Sequence, residues 1–117
     1  MQLNTAIAAE IRRGQTYWVD FDPTVGSEQA GRRPCVIVSP NAINRVTGAR
    51  IVTVVPVTTK GEADAVRIPV TTGGIRGFAL IHQVRVLDRS RLDGVIGELH
   101  IRELVPILTR LQQYFQP

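Results

Sequence analysis

Several kinds of residue and segment are scarce in this sequence of 117 residues, and each scarcity excludes a class of protein. A single cysteine excludes an internal disulfide, and it leaves too few ligands for zinc sites built from four cysteines or from cysteine and histidine pairs. No run of about 20 apolar residues occurs, so we expect no membrane-spanning helix. The apolar stretch at residues 6–9 is short and follows no basic residue, unlike a secretory signal. Together these features predict a cytoplasmic protein.

Lysine is also nearly absent, and arginine takes its place. The chain has one lysine, Lys60, beside thirteen arginines, and the 14 basic residues outnumber the 10 acidic ones to give a net charge of +4. The planar guanidinium binds phosphate through two parallel hydrogen bonds, so an arginine-rich chain is compatible with nucleic acid. Codon bias in a GC-rich genome explains the same composition equally well. The positions of the arginines are therefore more informative about function than the net charge.

The apolar residues predict one small β-rich domain. Valine and isoleucine dominate them, and both favour strands over helices. No repeat, linker or low-complexity tract divides the chain, so we expect a single domain at residues 13–117 and an N-terminal extension at residues 1–12. Apolar segments predict strands at residues 16–21, 35–39, 51–57, 65–70, 78–87 and 94–99. A long loop is expected at residues 22–33, and alternation in the fifth strand predicts Gln83 and Arg85 on one face and Val84 and Val86 on the other.

The last segment changes to the period of an amphipathic helix. Its apolar residues recur at intervals of three and four, at Ile101, Leu104, Val105, Leu108, Leu111 and Phe115. Pro106 lies inside this stripe and is expected to kink the helix unless the helix begins near Arg102. The expected architecture is a mainly β (α+β) fold, a small barrel of short strands with the C-terminal helix packed across it.

Most catalytic signatures are missing from the sequence. It has no phosphate-binding P-loop and no nucleophile elbow, and the glycines at residues 73–77 lack the spacing of a dinucleotide-binding motif. Cys35 lies in an apolar strand and is expected to be a core residue, since buried thiols resist ionisation. His82 and His100 have no third ligand at metal-binding spacing. An acid–base pair of these two histidines stays open, although His100 is expected at the surface or as the cap of the last helix.

Three polar segments interrupt the predicted strands. Residues 26–34, Gly-Ser-Glu-Gln-Ala-Gly-Arg-Arg-Pro, combine turn-forming glycines with polar side chains and place two arginines where a strand begins. Residues 55–58 end an apolar strand with hydroxyl groups. Residues 81–85 place polar side chains on an apolar strand, which is tolerated when they are paired or line a cleft. Taken singly, the segments are equally compatible with a solvated hairpin, an ordinary strand end and a strand with one solvated face.

In this order, the segments resemble the MazF/PemK/Kid family of toxins from toxin–antitoxin modules. The likeness starts at residues 13–23, continues through 26–34 and 55–58, and ends at residues 83–92 and 96–97. The resemblance implies an SH3-like β-barrel of the PemK/CcdB type with a C-terminal helix, a homodimer and a protein antitoxin. It also implies sequence-specific cleavage of single-stranded RNA, with mRNA as the expected target, without a metal or other cofactor. The 2′-hydroxyl is expected to attack the adjacent phosphorus and leave a 2′,3′-cyclic phosphate and a 5′-hydroxyl.

The resemblance also implies roles for particular residues. By motif position, Arg33 matches the family's catalytic arginine and Thr58 its catalytic threonine. We expect Arg33 to stabilise charge on the phosphorane, because a guanidinium hardly deprotonates. His82 stands where several members carry an acidic residue, and it is a candidate acid or base or a modifier of base preference. The residues expected to contact RNA are Ser27, Glu28, Gln29, Arg32, Gln83 and Arg85.

Two other functions remain open for a chain of this kind. Related barrels poison DNA gyrase by binding directly to the gyrase protein, although a gyrase-binding surface needs neither Arg33 nor Thr58. A non-catalytic RNA-binding module is the other alternative, and its biological effect would survive the loss of Arg33. The few aromatic residues are expected to serve the core rather than to stack on bases: Tyr17, Trp18 and Phe21 all lie in the first predicted strand.

Overall fold

The computed structural model describes residues 11–21 and 31–117, which form a curled antiparallel sheet with a helix across one face. The strands in chain order are β1 (Gln15–Asp20), β2 (Arg32–Ile37), β3 (Ile51–Thr58), β4 (Arg67–Thr72), β5 (Ile75–Leu80), β6 (Arg85–Asp88) and β7 (Leu92–Glu98). The helices are α1 (Asn41–Val46) and α2 (Ile101–Tyr114), and short 3-10 turns lie at Ile81–Gln83 and Arg89–Arg91. The mainly β fold with a C-terminal helix is confirmed.

Strand β3 is the centre of this sheet, whose strands are ordered β4-β5-β3-β2-β1-β7. Val54 pairs with Ile37 of β2 on one edge of β3 and with Arg85 of β6 on the other. The last part of β3 pairs with β5, at Val57↔Ala79. Strands β5 and β6 therefore follow one another along the same edge of β3.

The 3-10 turn between β5 and β6 explains why residues 78–87, which we predicted as one strand, form two. Val54 and Val57 lie three residues apart on β3, but their partners Arg85 and Ala79 lie six residues apart. Three extra residues have no place opposite β3, and they form the turn. The prediction of a single strand was wrong because hydrophobic periodicity does not report the register between neighbouring strands.

The turn also disturbs the expected alternation of side chains. Val84 packs partly buried against the core, whereas Val86 is 59% exposed. The two valines, which we predicted on one face of a single strand, therefore lie in different environments, and Val84 precedes β6. Helix α1 was not predicted at all, because its six residues are too short to show a helical period.

Two apolar cores lie on opposite faces of the sheet. Alternate residues of β2 and β3 supply each core, as the period of a strand requires. The first core lies under α2, whose Leu104, Ile107 and Leu111 are buried against it. The second core, on the other face, contains Ile11, Val19, Phe21, Cys35, Ile37, Ala49, Val52, Val54 and Leu87.

The sheet curls until its distant strands touch. The hydroxyls of Thr16 in β1 and Thr72 in β4 form a buried hydrogen bond of 2.6 Å. The glycines after Thr72 make the β4–β5 hairpin turn, where Gly73 and Gly74 both have positive φ. A Cβ on Gly73 would overlap the side chain of Ile96 in β7. This close approach fixes the curl that makes a half-barrel of the sheet.

Helix α2 begins where its sequence provides a cap. His100 occupies the N-cap position, and its Nδ1 accepts a hydrogen bond of 3.0 Å from the amide of Arg102. The expected capping role of His100 is confirmed. Pro106 lies inside the helix, which starts at Ile101, one residue before the start that we considered compatible with this proline.

Cys35 is fully buried, as expected, and this has a consequence for stability at alkaline pH. Burial raises the pKa of the Cys35 thiol far above its ordinary value, and the charge of Arg85 offsets only part of that. The folded protein therefore keeps the thiol protonated above about pH 8.5, where an unfolded chain ionises it. We expect the free energy of unfolding to fall there by about 1.4 kcal/mol per pH unit relative to Cys35→Ala. Urea denaturation of both proteins at pH 7 to 10 measures this difference, and parallel pH profiles would contradict it.

Candidate functional site

Arg33 and Thr58 lie at the same end of the β2–β3 pair. The register of this pair runs through Ile37↔Val54 and Cys35↔Pro56. The paired residues end at Cys35↔Pro56, and Arg33 of β2 and Thr58, the last residue of β3, each lie two residues beyond that pair. Residues opposite each other in an antiparallel pair project from the same face of the sheet. By strand alternation, Arg33 shares the face of Cys35 and Thr58 shares the face of Pro56, so both residues lie on one face at the same end of the pair, although 24 residues lie between them in the sequence.

A second arginine lies on the same face. Arg85 pairs with Val54 across the other edge of β3, and its guanidinium carbon lies 5.0 Å from the centre of the Phe21 ring. Its charge also reaches the thiol of Cys35, which shares the face of Arg33. A cation over an aromatic ring is held electrostatically as well as by packing. Arg33 and Arg85 therefore give this face of the sheet positive charge.

Arg32 lies on the other face of β2, since neighbouring residues of a strand point in opposite directions. Its Nε donates to the carboxylate of Asp93 at 3.0 Å, and its guanidinium carbon lies 4.5 Å from the centre of the Trp18 ring. The structure therefore separates Arg32 from Arg33, Thr58 and Arg85. We expected both adjacent arginines at the RNA site, because a predicted loop does not indicate which face of the sheet each side chain points to.

The 3-10 turn carries the other two candidates. His82 is exposed, and Gln83 beside it is half-buried. The turn joins β5 to β6 beside β3, between Ala79, which pairs with Val57, and Arg85, which pairs with Val54. Ser27, Glu28 and Gln29 lie outside the described residues.

The loop after Thr58 is held by three sets of hydrogen bonds. The amide of Lys60 donates to the Thr58 hydroxyl oxygen at 3.2 Å, which leaves the hydroxyl proton to be donated elsewhere. The Asp64 carboxylate accepts from the amides of Val66 and Arg67 at 2.9 and 2.8 Å, and these bonds, the Val66 bond foremost, lower its pKa. Arg110 of α2 donates to the carbonyl of Ala65 at 2.5 Å. The loop therefore joins Thr58 to the C-terminal helix.

Gly77 supports the site although sequence reasoning did not select it. A Cβ at this position would overlap the backbone carbonyl of Thr58 on the neighbouring strand. Its backbone φ is not positive, so the requirement is one of space. A glycine inside a strand is itself a sign of close backbone approach, and this signal was present in the sequence.

We expect Gly77→Ala to lower the free energy of unfolding by about 1–3 kcal/mol, because the methyl group must displace the end of β3. The same displacement moves Thr58 and lowers any activity that needs it. Thermal denaturation measures the first effect. Gly94→Ala is the control that separates steric overlap from backbone strain. Gly94 has a positive φ, but a Cβ there would meet no other atom within 4 Å. If Gly77→Ala were as stable as the parent protein, the close approach would not constrain the site.

Across 11–21 and 31–117, no helix is long and apolar enough to cross a membrane. Over the same residues, no group of three or more His, Cys, Asp and Glu side chains is placed to hold a metal ion.

Comparison with known proteins gives consistent matches. Residues 12–115 match the family model described as PemK-like, MazF-like toxin of type II toxin–antitoxin system. The chain is 43% identical over 72 residues to the endoribonuclease toxin MazF of Escherichia coli K12, an alignment that spans 62% of this chain and 63% of that protein. It thus spans less than two thirds of that relative. Endoribonuclease MazF9 of Mycobacterium tuberculosis is 35% identical over 105 residues, which are 83% of this chain and 89% of that one.

Solved structures show the same fold. The crystal structure of MazF from Deinococcus radiodurans superposes with a TM-score of 0.77 at 30% identity and covers 89% of this chain and 94% of its own. A MazE–MazF structure from the same organism gives a TM-score of 0.73 at 30% identity with the same coverage. The half-barrel with its C-terminal helix is therefore the architecture of these toxins.

Proposed function

We propose that this chain, which belongs to the PemK-like, MazF-like toxin family of type II toxin–antitoxin systems, is an endoribonuclease. It cleaves single-stranded RNA at a specific sequence without a metal ion and acts as the toxin of such a module. The observation that supports the proposal is that Arg33 and Thr58 lie at the same end of the β2–β3 pair, on the face of the sheet that also bears Arg85. Names of relatives support it, since these proteins are called endoribonucleases.

The reaction that fits this site is attack within the RNA strand. The ribose 2′-oxygen forms a bond to the adjacent phosphorus, and the bond from phosphorus to the 5′-oxygen breaks. One proton leaves the 2′-hydroxyl and another reaches the departing 5′-oxygen. The products are therefore a 2′,3′-cyclic phosphate and a 5′-hydroxyl. This chemistry needs a proton acceptor, a proton donor and positive charge against the phosphorane.

The residues divide these tasks according to their chemistry. Arg33 stabilises the negative charge of the phosphorane through its fixed cation, since it hardly deprotonates. Thr58 donates its hydroxyl proton in a hydrogen bond to a phosphate oxygen, because the Lys60 amide already occupies an acceptor site on its oxygen. His82 is assigned one of the proton transfers, because an imidazole can serve as a general acid or a general base. Gln83 and Arg85 contact the neighbouring bases or phosphates, and Ser27, Glu28 and Gln29 complete the RNA-binding surface.

The partners follow from the same proposal. A MazE–MazF crystal structure and a mycobacterial endoribonuclease in complex with its cognate antitoxin are among the similar structures. We extend this to a cognate antitoxin for this chain, a homodimer and a cytoplasmic location. Residues 13–117 form the toxin domain in this scheme, and residues 1–12 form an extension.

The test is cleavage of a long defined RNA by the purified protein in excess EDTA, with mapping of the ends. We expect cuts at one short recurring sequence that leave 5′-hydroxyl ends. A matched substrate with a 2′-deoxyribose at the mapped site should resist cleavage there, because the attacking hydroxyl is missing. Loss of activity in EDTA, or ends that carry a 5′-phosphate, would reject this mechanism. RNA binding without cuts would favour a non-catalytic RNA-binding module, and growth arrest without RNA fragments would favour a gyrase poison.

A further inference from the structure

A groove of about 530 Å³ lies away from Arg33 and Thr58, where β1, β6 and β7 meet the start of β3. Its apolar part comes from Ile11 and Leu92, and Tyr17 adds an aromatic ring whose hydroxyl donates to Gln15 at 3.3 Å. This volume lies within the range of small-ligand sites, which run from about 300 to 1,000 Å³. The aromatic and apolar surface suits a flat organic ring.

The polar side of the groove carries both signs of charge. Arg50 and Arg89 line it, and they are held together by a backbone hydrogen bond of 3.0 Å from the Arg89 amide to the Arg50 carbonyl. Asp88, the last residue of β6, precedes Arg89 and pairs with Ile51, the residue after Arg50. Its carboxylate accepts a hydrogen bond from the Ser90 amide at 2.8 Å. Hydrogen bonds from Ser90, followed by the charges of Arg50 and Arg89, keep the pKa of Asp88 below its ordinary value. The groove therefore presents two guanidiniums, one carboxylate and one hydroxyl.

The groove is connected to the proposed cleavage site through β6. This strand carries Arg85 at its first residue and Asp88 at its last. Three residues of extended chain span about 10 Å. A strand of RNA that contacts Arg85 therefore needs to continue only a short distance along β6 to enter the groove.

We infer that this groove binds one nucleotide of the RNA strand, outside the nucleotides that are cut. The inference rests on the proposed function. Arg50 and Arg89 receive the phosphate, and the exposed part of Tyr17 supports the base, as aromatic side chains do in proteins that bind single strands. Asp88 accepts from the amino group of the base or the ribose hydroxyl. A nucleotide brings such donors together with its negative charge, whereas an acidic peptide side chain brings only the charge.

The test compares RNA binding by oligonucleotides of three kinds. All carry the mapped cleavage sequence with a 2′-deoxyribose at the scissile position and a fluorescein label. One contains that sequence alone, and the others extend it in the 5′ or the 3′ direction. Fluorescence anisotropy should show that one extension tightens binding to the parent protein. Arg50→Ala and Arg89→Ala should each weaken binding of that extended RNA by about threefold to tenfold and leave the short RNA unchanged.

Two further variants sharpen this result. Arg102→Ala removes the same charge from an exposed position on α2, on the other face of the sheet, and should alter none of the affinities. Asp88→Asn keeps an acceptor for the Ser90 amide but loses the carboxylate, so it should change which base is preferred in the extension. Each arginine variant should also reduce the slope of log affinity against log salt by about 1 for the extended RNA only.

Several outcomes would overturn the inference. If neither extension tightens binding, or if the Arg50 and Arg89 variants weaken short and extended RNA equally, the groove holds no nucleotide. If these variants keep all RNA affinities but lose affinity for an acidic antitoxin peptide, the groove is a protein-binding surface. In each of these cases the cleavage of long RNA by the parent protein is unaffected. Absence of cleavage by the parent protein would instead reject the proposed function.

Discussion

Arg33→Ala is expected to lower the rate of RNA cleavage by about 100- to 1,000-fold at saturating substrate. Arg33 lies on the face of the sheet that also bears Thr58 and Arg85, so its loss removes positive charge from the site at which we propose that the phosphorane forms. Because this charge matters most in the transition state, kcat should fall more than KM rises. Steady-state rates of cleavage of a short labelled RNA, taken over a range of RNA concentrations, measure both kcat and KM.

Two control variants separate this effect from a general loss of charge. Arg33→Lys retains the positive charge but loses the planar fork, so an intermediate rate is expected. Arg102→Ala lowers the net charge by the same amount on α2 and should cleave at the parental rate. Full activity of Arg33→Ala would show that Arg33 has no part in the chemistry, even if the protein proved to be a ribonuclease.

Phe21→Ala should lower the free energy of unfolding by about 3–5 kcal/mol, a large share of the stability of a domain of this size. Phe21 is 1% exposed and belongs to the core on the face that carries Arg33. Its ring also lies under the Arg85 guanidinium. The substitution therefore leaves a cavity and removes a support of the proposed RNA-binding arginine. Urea denaturation followed by Trp18 fluorescence measures the loss of stability.

Phe115→Ala is the matched control for Phe21→Ala. The side chain of Phe115 is 66% exposed beyond the end of α2, so its truncation should change stability by no more than about 0.5 kcal/mol. Phe21→Leu should cost less than Phe21→Ala, because leucine fills much of the ring's volume. Equal stability of Phe21→Ala and Phe115→Ala would mean that the second core does not depend on this ring.

Sequence reasoning succeeded where a local pattern carries the structural information. The three-and-four spacing after Ile101 predicted α2, and the helix-edge position of His100 predicted its cap. The apolar surroundings of Cys35 predicted a buried thiol. The tightly packed site glycine, Gly77, was missed although glycine inside a strand is a readable signal. It was missed because the atom that excludes a larger side chain is the carbonyl oxygen of Thr58, which comes near Gly77 only through strand pairing.

The sequence by itself determined the class of the fold, the helix that closes it and the motif residues Arg33 and Thr58. These depend on apolar periodicity and on residues adjacent in the chain. Only the tertiary structure decided that Arg33 and Arg32 face opposite sides of β2, and that a 3-10 turn divides the longest apolar run. Facing and register depend on which residue of a distant strand lies opposite. A shift of the register by one residue turns every side chain of the strand to the other face of the sheet. The apolar periodicity within one strand does not indicate which register forms.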